Sequence, residues 1–447
     1  MGVIQGHVRV FYHLLVNTLL VSVTNFTVWF AITFYTYLET RSVFATGVIS
    51  GVFLVMTALT GIWFGSLVDH HPKKLMMQVS AGVSLTTYAL ALVLYQLTPR
   101  EEFRDPASVP LWGLIVLLMV GVIAGNIRTI ALPTMVTALI SEGTRDRANG
   151  LVGTASGVSF LVTSVISGLL VALGGMFWVL VLGIVVLALS LVHLGSVRVP
   201  AGAAAAAGEP DDTTSKIDLR GTIKVIAGVP GLTALIIFSA FNNLLGGVFM
   251  ALLDAYGLSM MSVQGWGLLW GALSTGFIVG GLLVARTGLG KNPVWLLLMI
   301  NVVCWTVTLL FPLRESIIWL AVGLYAYMLV VPYAEAAEQT ILQRVVPYER
   351  QGRVFGFAQS VEQAASPLTA FLISPVAQFV FIPFMTDGAG ARLIGSWFGT
   401  GAARGLALVF MITGVLGLIA TAVALRSRPY RRLSHRYTTA EAAPTPS

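Results

Sequence analysis

Charge and cysteine are both scarce in this sequence. Only 10% of its 447 residues are charged, against about 25% in ordinary soluble domains. The single cysteine, Cys304, excludes an intrachain disulfide and a cysteine-built metal site. The six histidines form no H-E-x-x-H or related ligand pattern, so no metal is expected. There is no P-loop, which excludes an ATP-driven pump. Nor is there a nucleophile–base constellation, so the chain is not expected to be an enzyme. The net charge of +7 does not point to nucleic acid, because the basic residues sit in short loops between apolar runs.

Long apolar runs are abundant. Hydrophobic residues make up 56% of the chain, and stretches of 20 or more recur from end to end. Each is long enough to cross a hydrocarbon core about 30 Å thick. The runs are continuous and do not alternate, which argues against a β-barrel. The first run is too long for a cleavable signal and lacks a small-residue cleavage site, so it reads as a membrane span. Twelve spans are predicted: 11–37, 44–68, 75–97, 110–140, 148–172, 174–195, 231–256, 263–285, 293–312, 315–343, 354–380 and 403–425. The fifth and sixth are separated only by the Gly174-Gly175 turn. The fold class is therefore an all-α integral membrane protein of twelve transmembrane helices.

The distribution of basic residues sets the orientation. Nineteen of the 26 Lys and Arg fall in the N-terminus, the even-to-odd loops and the C-terminal tail. Six fall on the opposite side (Arg41, Arg100, Arg104, Arg314, Arg392 and Arg404), and Arg128 lies inside a span. Cytoplasmic loops carry the excess of Lys and Arg, so both termini are expected in the cytoplasm. The organisation is expected to be a six-helix bundle over 1–195, a cytoplasmic linker over 196–230, a second six-helix bundle over 231–426 and a basic cytoplasmic tail over 427–447. Ser215 to Ile226 is expected as a short helix along the membrane surface, and the long connection 381–402 as an amphipathic piece on the outer surface.

The two halves carry a repeat. Residues 137–153, TALISEGTRDRANGLVG, align without gaps on 340–356, TILQRVVPYERQGRVFG. Thr137, Leu139, Arg147 and Gly153 match Thr340, Leu342, Arg350 and Gly356. Residues 65–74, GSLVDHHPKK, align on GLLVARTGLGK from 281, with Gly281 at Gly65 and Ala285 at Asp69. Duplicated halves of parallel topology are the build of one large transporter class, whose substrate site lies near the midplane between them.

At residues 65–74 the chain resembles the major facilitator superfamily, whose loop between spans 2 and 3 reads G-x-x-x-D-[RK]-x-G-[RK]-[RK]. Gly65, Asp69, Lys73 and Lys74 match, while His70 and Pro72 depart. RANGLVG at 147–153, FNN at 241–243 and GRVFGFAQSVEQAASP at 352–367 are most similar to the drug–proton antiporter branch with macrolide-efflux and enterobactin-export proteins. The glycine–proline motif of other antiporter branches is missing from 157–169. The resemblance implies a gating role for the loop, in which Asp69 latches the two halves by capping the end of span 11 near Gly352 and Arg353. Gly65, Asp69, Lys73 and Lys74, with Arg353 and the matching repeat positions Arg147 and Arg350, are the gating-motif candidates.

Ionisable groups inside a span cost about 2.5–3.5 kcal/mol on insertion scales, so each calls for a reason. Those present are Arg128, Asp254, Glu335, Glu338 and Glu362. In the superfamily, spans 1, 4, 7 and 10 line the central cavity, and four of the five lie on them. Glu335 and Glu338 share a helix face at i, i+3. Two carboxylates so close in a low dielectric resist ionising together, and a carboxyl that can exist uncharged can carry a proton. Glu335, Glu338, Asp254 and Arg128 are therefore the proton-coupling candidates, with Glu335 first. For Arg128 the competing readings are a carboxylate partner across the cavity and hydrogen bonds to backbone carbonyls. Asp254 has the alternative of a solvated helix end. Glu362, flanked by Gln359 and Gln363, is a substrate-cavity candidate, with helix packing or a conformational switch as the alternative.

Asn25, Asn242 and Asn243 are candidate substrate contacts, against the usual role of asparagine between helices. Trp29, Phe34 and Tyr325 would give a greasy lining for amphiphiles. Pro133, Pro332, Pro367 and Pro375 are candidate kinks.

The expected function is secondary active export by alternating access in the inner or plasma membrane, with an amphiphilic organic compound or drug leaving against entering protons. The proton gradient replaces any cofactor. The expected partners are a small-molecule substrate, protons and the lipid bilayer, and the chain is expected to act as a monomer. The alternatives are a siderophore or natural-product exporter, a lysophospholipid flippase, and a membrane sensor that has lost transport.

Overall fold

The computed structural model describes residues 2–40, 43–200 and 219–440. Arg41, the middle of the expected linker and the end of the tail lie outside them. Among the described residues every regular element is a helix. In chain order these are α1 (Gly2–Thr40), α2 (Val43–His70), α3 (Lys73–Leu97), α4 (Val109–Ala124), α5 (Asn126–Leu139), α6 (Arg145–Gly174) and α7 (Met176–Ser196). After the linker come α8 (Leu219–Gly228), α9 (Leu232–Leu258), α10 (Val263–Thr287), α11 (Pro293–Leu310), α12 (Ile317–Val345) and α13 (Gln351–Val376). The last are α14 (Ile382–Thr386), α15 (Ala389–Phe398), α16 (Ala402–Arg426) and α17 (Arg428–Ala440). Among the described residues eleven stretches are long and apolar enough to cross a membrane. The 30-residue α6 stands where the remaining expected span lies.

The expected fourth span is two helices, not one. The break at Gly125 is a tightened turn in which Gly125 N bonds to Val122 O and Arg128 N to Gly125 O, both at 3.0 Å. Two serines of α3 take carbonyls at the break. Ser84 Oγ donates to Gly121 O at 2.7 Å and Ser80 Oγ to Ala124 O at 2.9 Å. A Cβ on Gly125 would collide with Asn25 Nδ2, so the bare backbone lets α1 approach. The turn between α6 and α7 rests on Gly175, whose φ of 61° favours glycine.

Prolines 133, 332 and 367 lie within continuous helix. A π-helical stretch, Ala377–Phe381, follows Pro375 and carries α13 on into α14. The connection 381–402 is thus largely helical. Its α15 buries Gly390 and Phe398 and exposes Leu393 and Trp397. The helix expected from Ser215 is described from Leu219, with Thr222 and Ile226 buried.

The chain divides into two compact units. The first comprises 1–148, 155–223 and 346–360, and the second 149–154, 224–345 and 361–447. The start of α13 therefore belongs with α1–α7, and six residues of α6 belong with α9–α17. In the first unit α3 packs along α4 and α7, and α1 along α7. In the second, α12 packs along α10 and α11, and α16 along α11. Tyr256, Phe311 and Phe410 form an aromatic core there, with ring centroids 5.3–6.2 Å apart.

Candidate functional site

Three acids meet in the second unit. α12 carries Glu335 and Glu338 one turn apart, α9 supplies Ser239 and α13 supplies Glu362. Ser239 Oγ donates to Glu338 Oε1 at 2.5 Å. Glu362 lies within side-chain reach of Glu338, and Glu335 within electrostatic reach of both. An ionised carboxyl can only accept hydrogen bonds, so a bond between two carboxyls requires a proton on one of them. Among the described residues no Lys or Arg forms an ion pair with any of the three. Arg344, at the end of α12, stacks over the Tyr437 ring at 4.2 Å. Glu362 therefore lies with the other two acids. Glu335 is the most exposed of the three.

Arg128 is not part of this group. It is 1% exposed and lies in the first unit. Its Nη1 donates to Asn17 Oδ1 at 2.7 Å and its Nη2 to Met77 O at 2.9 Å. The bond to Met77 O is the backbone-carbonyl contact that one of the two expected readings gave. The contacts continue beyond Asn17. Asn17 Nδ2 meets Ser190 O at 2.8 Å and His193 Nδ1 at 3.1 Å, and His193 Nε2 lies 3.2 Å from His13 Nδ1. The donor-only guanidinium fixes which end of the Asn17 amide faces it. The amide nitrogen then makes His193 Nδ1 an acceptor, so the ring's proton sits on Nε2 and points to His13. Reading by span overlooked His13, Asn17 and His193. Their signal was three polar residues on apolar helices.

The loop at 65–74 is organised around Asp69, which is 9% exposed. Its Oδ1 accepts from Gly352 N at 2.6 Å and its Oδ2 from Arg353 N at 2.8 Å, with Arg353 Nε 3.4 Å from Oδ2. These amides open α13, where backbone N–H groups lack helical partners and the helix dipole favours an anion. Close approach is possible because a Cβ on Gly65 would strike the Gly352 carbonyl, and one on Gly356 the Gly61 carbonyl. Lys73 is buried. It donates to Asp69 O at 3.3 Å and faces the Tyr348 ring. Lys74 donates to Val197 O at 2.7 Å at the end of α7. His70 lies 3.4 Å from Arg353 Nη2. Arg147 and Arg350 are exposed and take no part in these contacts. Arg145 instead caps α5, donating to Thr137 O at 2.9 Å and Ile140 O at 3.2 Å.

The sequence profile of the Major Facilitator Superfamily matches residues 14–370. The chain belongs to the major facilitator superfamily. Members of that superfamily are transporters, and this one is a multi-pass membrane protein. Three solved transporters share the fold. A bacterial homologue of the iron transporter ferroportin is 16% identical, with a TM-score of 0.68 over 92% of this chain and 98% of that one. A proton:xylose symporter is 12% identical, with a TM-score of 0.68 over 96% and 99%. The human organic anion transporter MFSD10 is 14% identical, with a TM-score of 0.63 over 93% and 99%. Among curated proteins none matches.

The remaining candidates in this superfamily member have the following neighbours. Asn25 is buried and accepts from Tyr88 Oη at 2.8 Å. Asn242 accepts from Trp305 Nε1 at 2.9 Å, and Asn243 donates to Ser239 O at 3.0 Å. Trp29 stacks on Phe53 with centroids 3.9 Å apart, Phe34 is exposed, and Tyr325 packs on Gly276. Asp254 is exposed and accepts from Trp266 Nε1 at 2.8 Å and Trp270 Nε1 at 3.4 Å. A buried arginine was missed. Arg404, read as a loop residue, is 1% exposed. Its Nη1 donates to Pro312 O at 3.0 Å, and its guanidinium lies over Phe398 at 4.7 Å.

Proposed function

We propose that this chain is a proton-coupled exporter of amphiphilic organic compounds, working by alternating access in the inner or plasma membrane with both termini in the cytoplasm. The observation that carries this reading is the group of Glu335, Glu338 and Glu362, three acids together, with which no Lys or Arg among the described residues forms an ion pair. Glu338 and Glu362 hold one proton between them, steadied by the Ser239 hydroxyl. Glu335, the exposed member, is the entry point for a proton or for the cationic end of a substrate. Binding a cation there favours release of the shared proton, because like charges in a low dielectric repel. Releasing the cation favours its return. Exchange of one for the other is the chemistry of an antiporter and requires no cofactor.

The test is efflux in inverted vesicles with an imposed pH gradient, across a panel of cationic, neutral and anionic amphiphiles. Export is expected for cationic members and is expected to vanish with an uncoupler. Glu338→Gln and Glu362→Gln are each expected to abolish gradient-driven export while leaving substrate binding measurable. Export of unchanged rate in both variants overturns the assignment.

A further inference from the structure

The C-terminal helix is more than a basic anchor. Tyr430, Leu433 and Tyr437 fall at i, i+3 and i+7 on one face of α17, and all three are buried. Tyr430 Oη donates to Ala234 O at 2.8 Å, and Tyr430 packs edge-on against Phe238. Leu433 lies over Gly231, where a Cβ would strike both Leu433 and the Pro429 carbonyl. The opposite face exposes Arg428, Arg431, Arg432, His435 and Arg436.

Between this helix and the start of α11 lies a cavity of about 340 Å³. Its walls include Asn292, Trp295, Arg431 and His435, with Val294 and Leu298 below, and none of its lining residues is acidic. Arg431 uses one N–H of Nη2 on Arg426 O at 3.2 Å, and a guanidinium has five N–H donors. Asn292 Nδ2 donates to Ser434 Oγ at 2.8 Å and so ties the cavity's two walls together. The apolar floor belongs to helices that run on as membrane spans, while the cationic wall begins where those spans end. Trp295 is 56% exposed at that boundary, where amphipathic rings concentrate in membrane proteins.

We infer that this cavity is a binding site for the headgroup of an anionic phospholipid. Its phosphate sits on Arg431 and His435, and its acyl chains descend beside Trp295 and Leu298. Charge complementarity selects an anionic lipid over a zwitterionic one, and continuity with the spans selects a lipid over a free anion. Such a lipid would join α17 to α11 and hold the C-terminal helix on the second unit. The inference does not depend on the transported substrate.

The test uses purified full-length protein in detergent. Native mass spectrometry is expected to show phosphatidylglycerol retained about tenfold more than phosphatidylcholine, with the preference lost in an Arg431→Ala/His435→Ala variant. A photoactivatable phosphatidylglycerol on the unaltered protein is expected to crosslink at residues 292–298 and 431–438, which keeps the inference testable if the variant does not fold. Equal retention of the two lipids, or crosslinks confined to other segments, overturns it. So does protection by inorganic phosphate alone that equals protection by the lipid.

Discussion

Among the described residues Arg128 is a cation placed at depth with no anion paired to it. It is held by a side-chain amide and a backbone carbonyl, and its Nε has no partner. Losing one of so few partners leaves a buried charge exposed to a desolvation cost of about 1–3 kcal/mol or more. Asn17→Ala is therefore expected to lower the apparent melting temperature more than Asn17→Ala combined with Arg128→Met, because the double variant also removes the stranded charge. A thermal-shift series on the four members of this cycle checks it. Additive losses would mean that Asn17 and Arg128 are not coupled. The same reasoning gives the acids the opposite character. In the proposed exchange Glu338 and Glu362 share a proton; glutamine at either position still donates a hydrogen bond to the remaining carboxyl but holds no exchangeable proton with it. Both single variants are expected to fold as well as the parent and to lose proton-driven export, measured as melting temperature and vesicle efflux.

At the scale of the helix, the break at Gly125 concentrates the physics. Three groups must agree: Ser80 and Ser84 on α3 take carbonyls, Asn25 on α1 fills the space a side chain would need, and Tyr88 holds Asn25. Gly125→Val is expected to cost about 1–3 kcal/mol by overpacking. Adding Asn25→Ala is expected to recover part of that loss, a non-additivity readable in apparent melting temperature. This break was not legible in the sequence, although the helices were. Apolar runs of 20 or more residues fix where helices lie, because hydrocarbon demands backbone satisfied within the segment. The break depends on serines some 40 residues away, and nothing local marks Gly125 among the chain's 46 glycines. The depth of Arg128 could be read from its span, but its partner could not, since Asn17 lies 111 residues earlier. Arg404 looked like a loop residue because it stands at the edge of an apolar run. The stripe Tyr430, Leu433, Tyr437 was there to be found, but the density of arginines drew the reading towards a tail. The pairing of Asp69 with the start of α13 was anticipated from the family resemblance, and the amide partners are those it implied.

Across the whole molecule, the sequence repeat places a glycine crossing in each unit, and the two crossings are closed differently. In the first, α2 meets the start of α13 through Gly65 and Gly352, and Asp69 takes the free amides. In the second, α10 meets α6 where a Cβ on Gly281 would strike Thr154 and one on Gly150 would strike Ala285. Ala285 stands at the acid's position and cannot accept a hydrogen bond through its side chain. Asn149, which matches Gly352 in the repeat, bonds instead to Thr340 Oγ1 at 2.8 Å and exchanges hydrogen bonds with Gln343 at 2.9 and 3.2 Å. Charge therefore strengthens one crossing alone, since bonds to an ionised acceptor are roughly twice as strong as neutral ones. Asp69→Asn keeps the shape but removes that charge and one acceptor oxygen, and is expected to weaken the first crossing by about 1–2 kcal/mol, the difference between hydrogen bonds to charged and to neutral groups. Hydrogen exchange on the full-length protein in a bilayer mimic should then speed up by about tenfold at the amides of residues 352–356. The amides of 149–154 should exchange at their original rate. Equal acceleration of both segments would mean that the two crossings open as one and that the acid is no private lock of the first. No change in either would mean that Asp69 carries little of the energy its geometry implies.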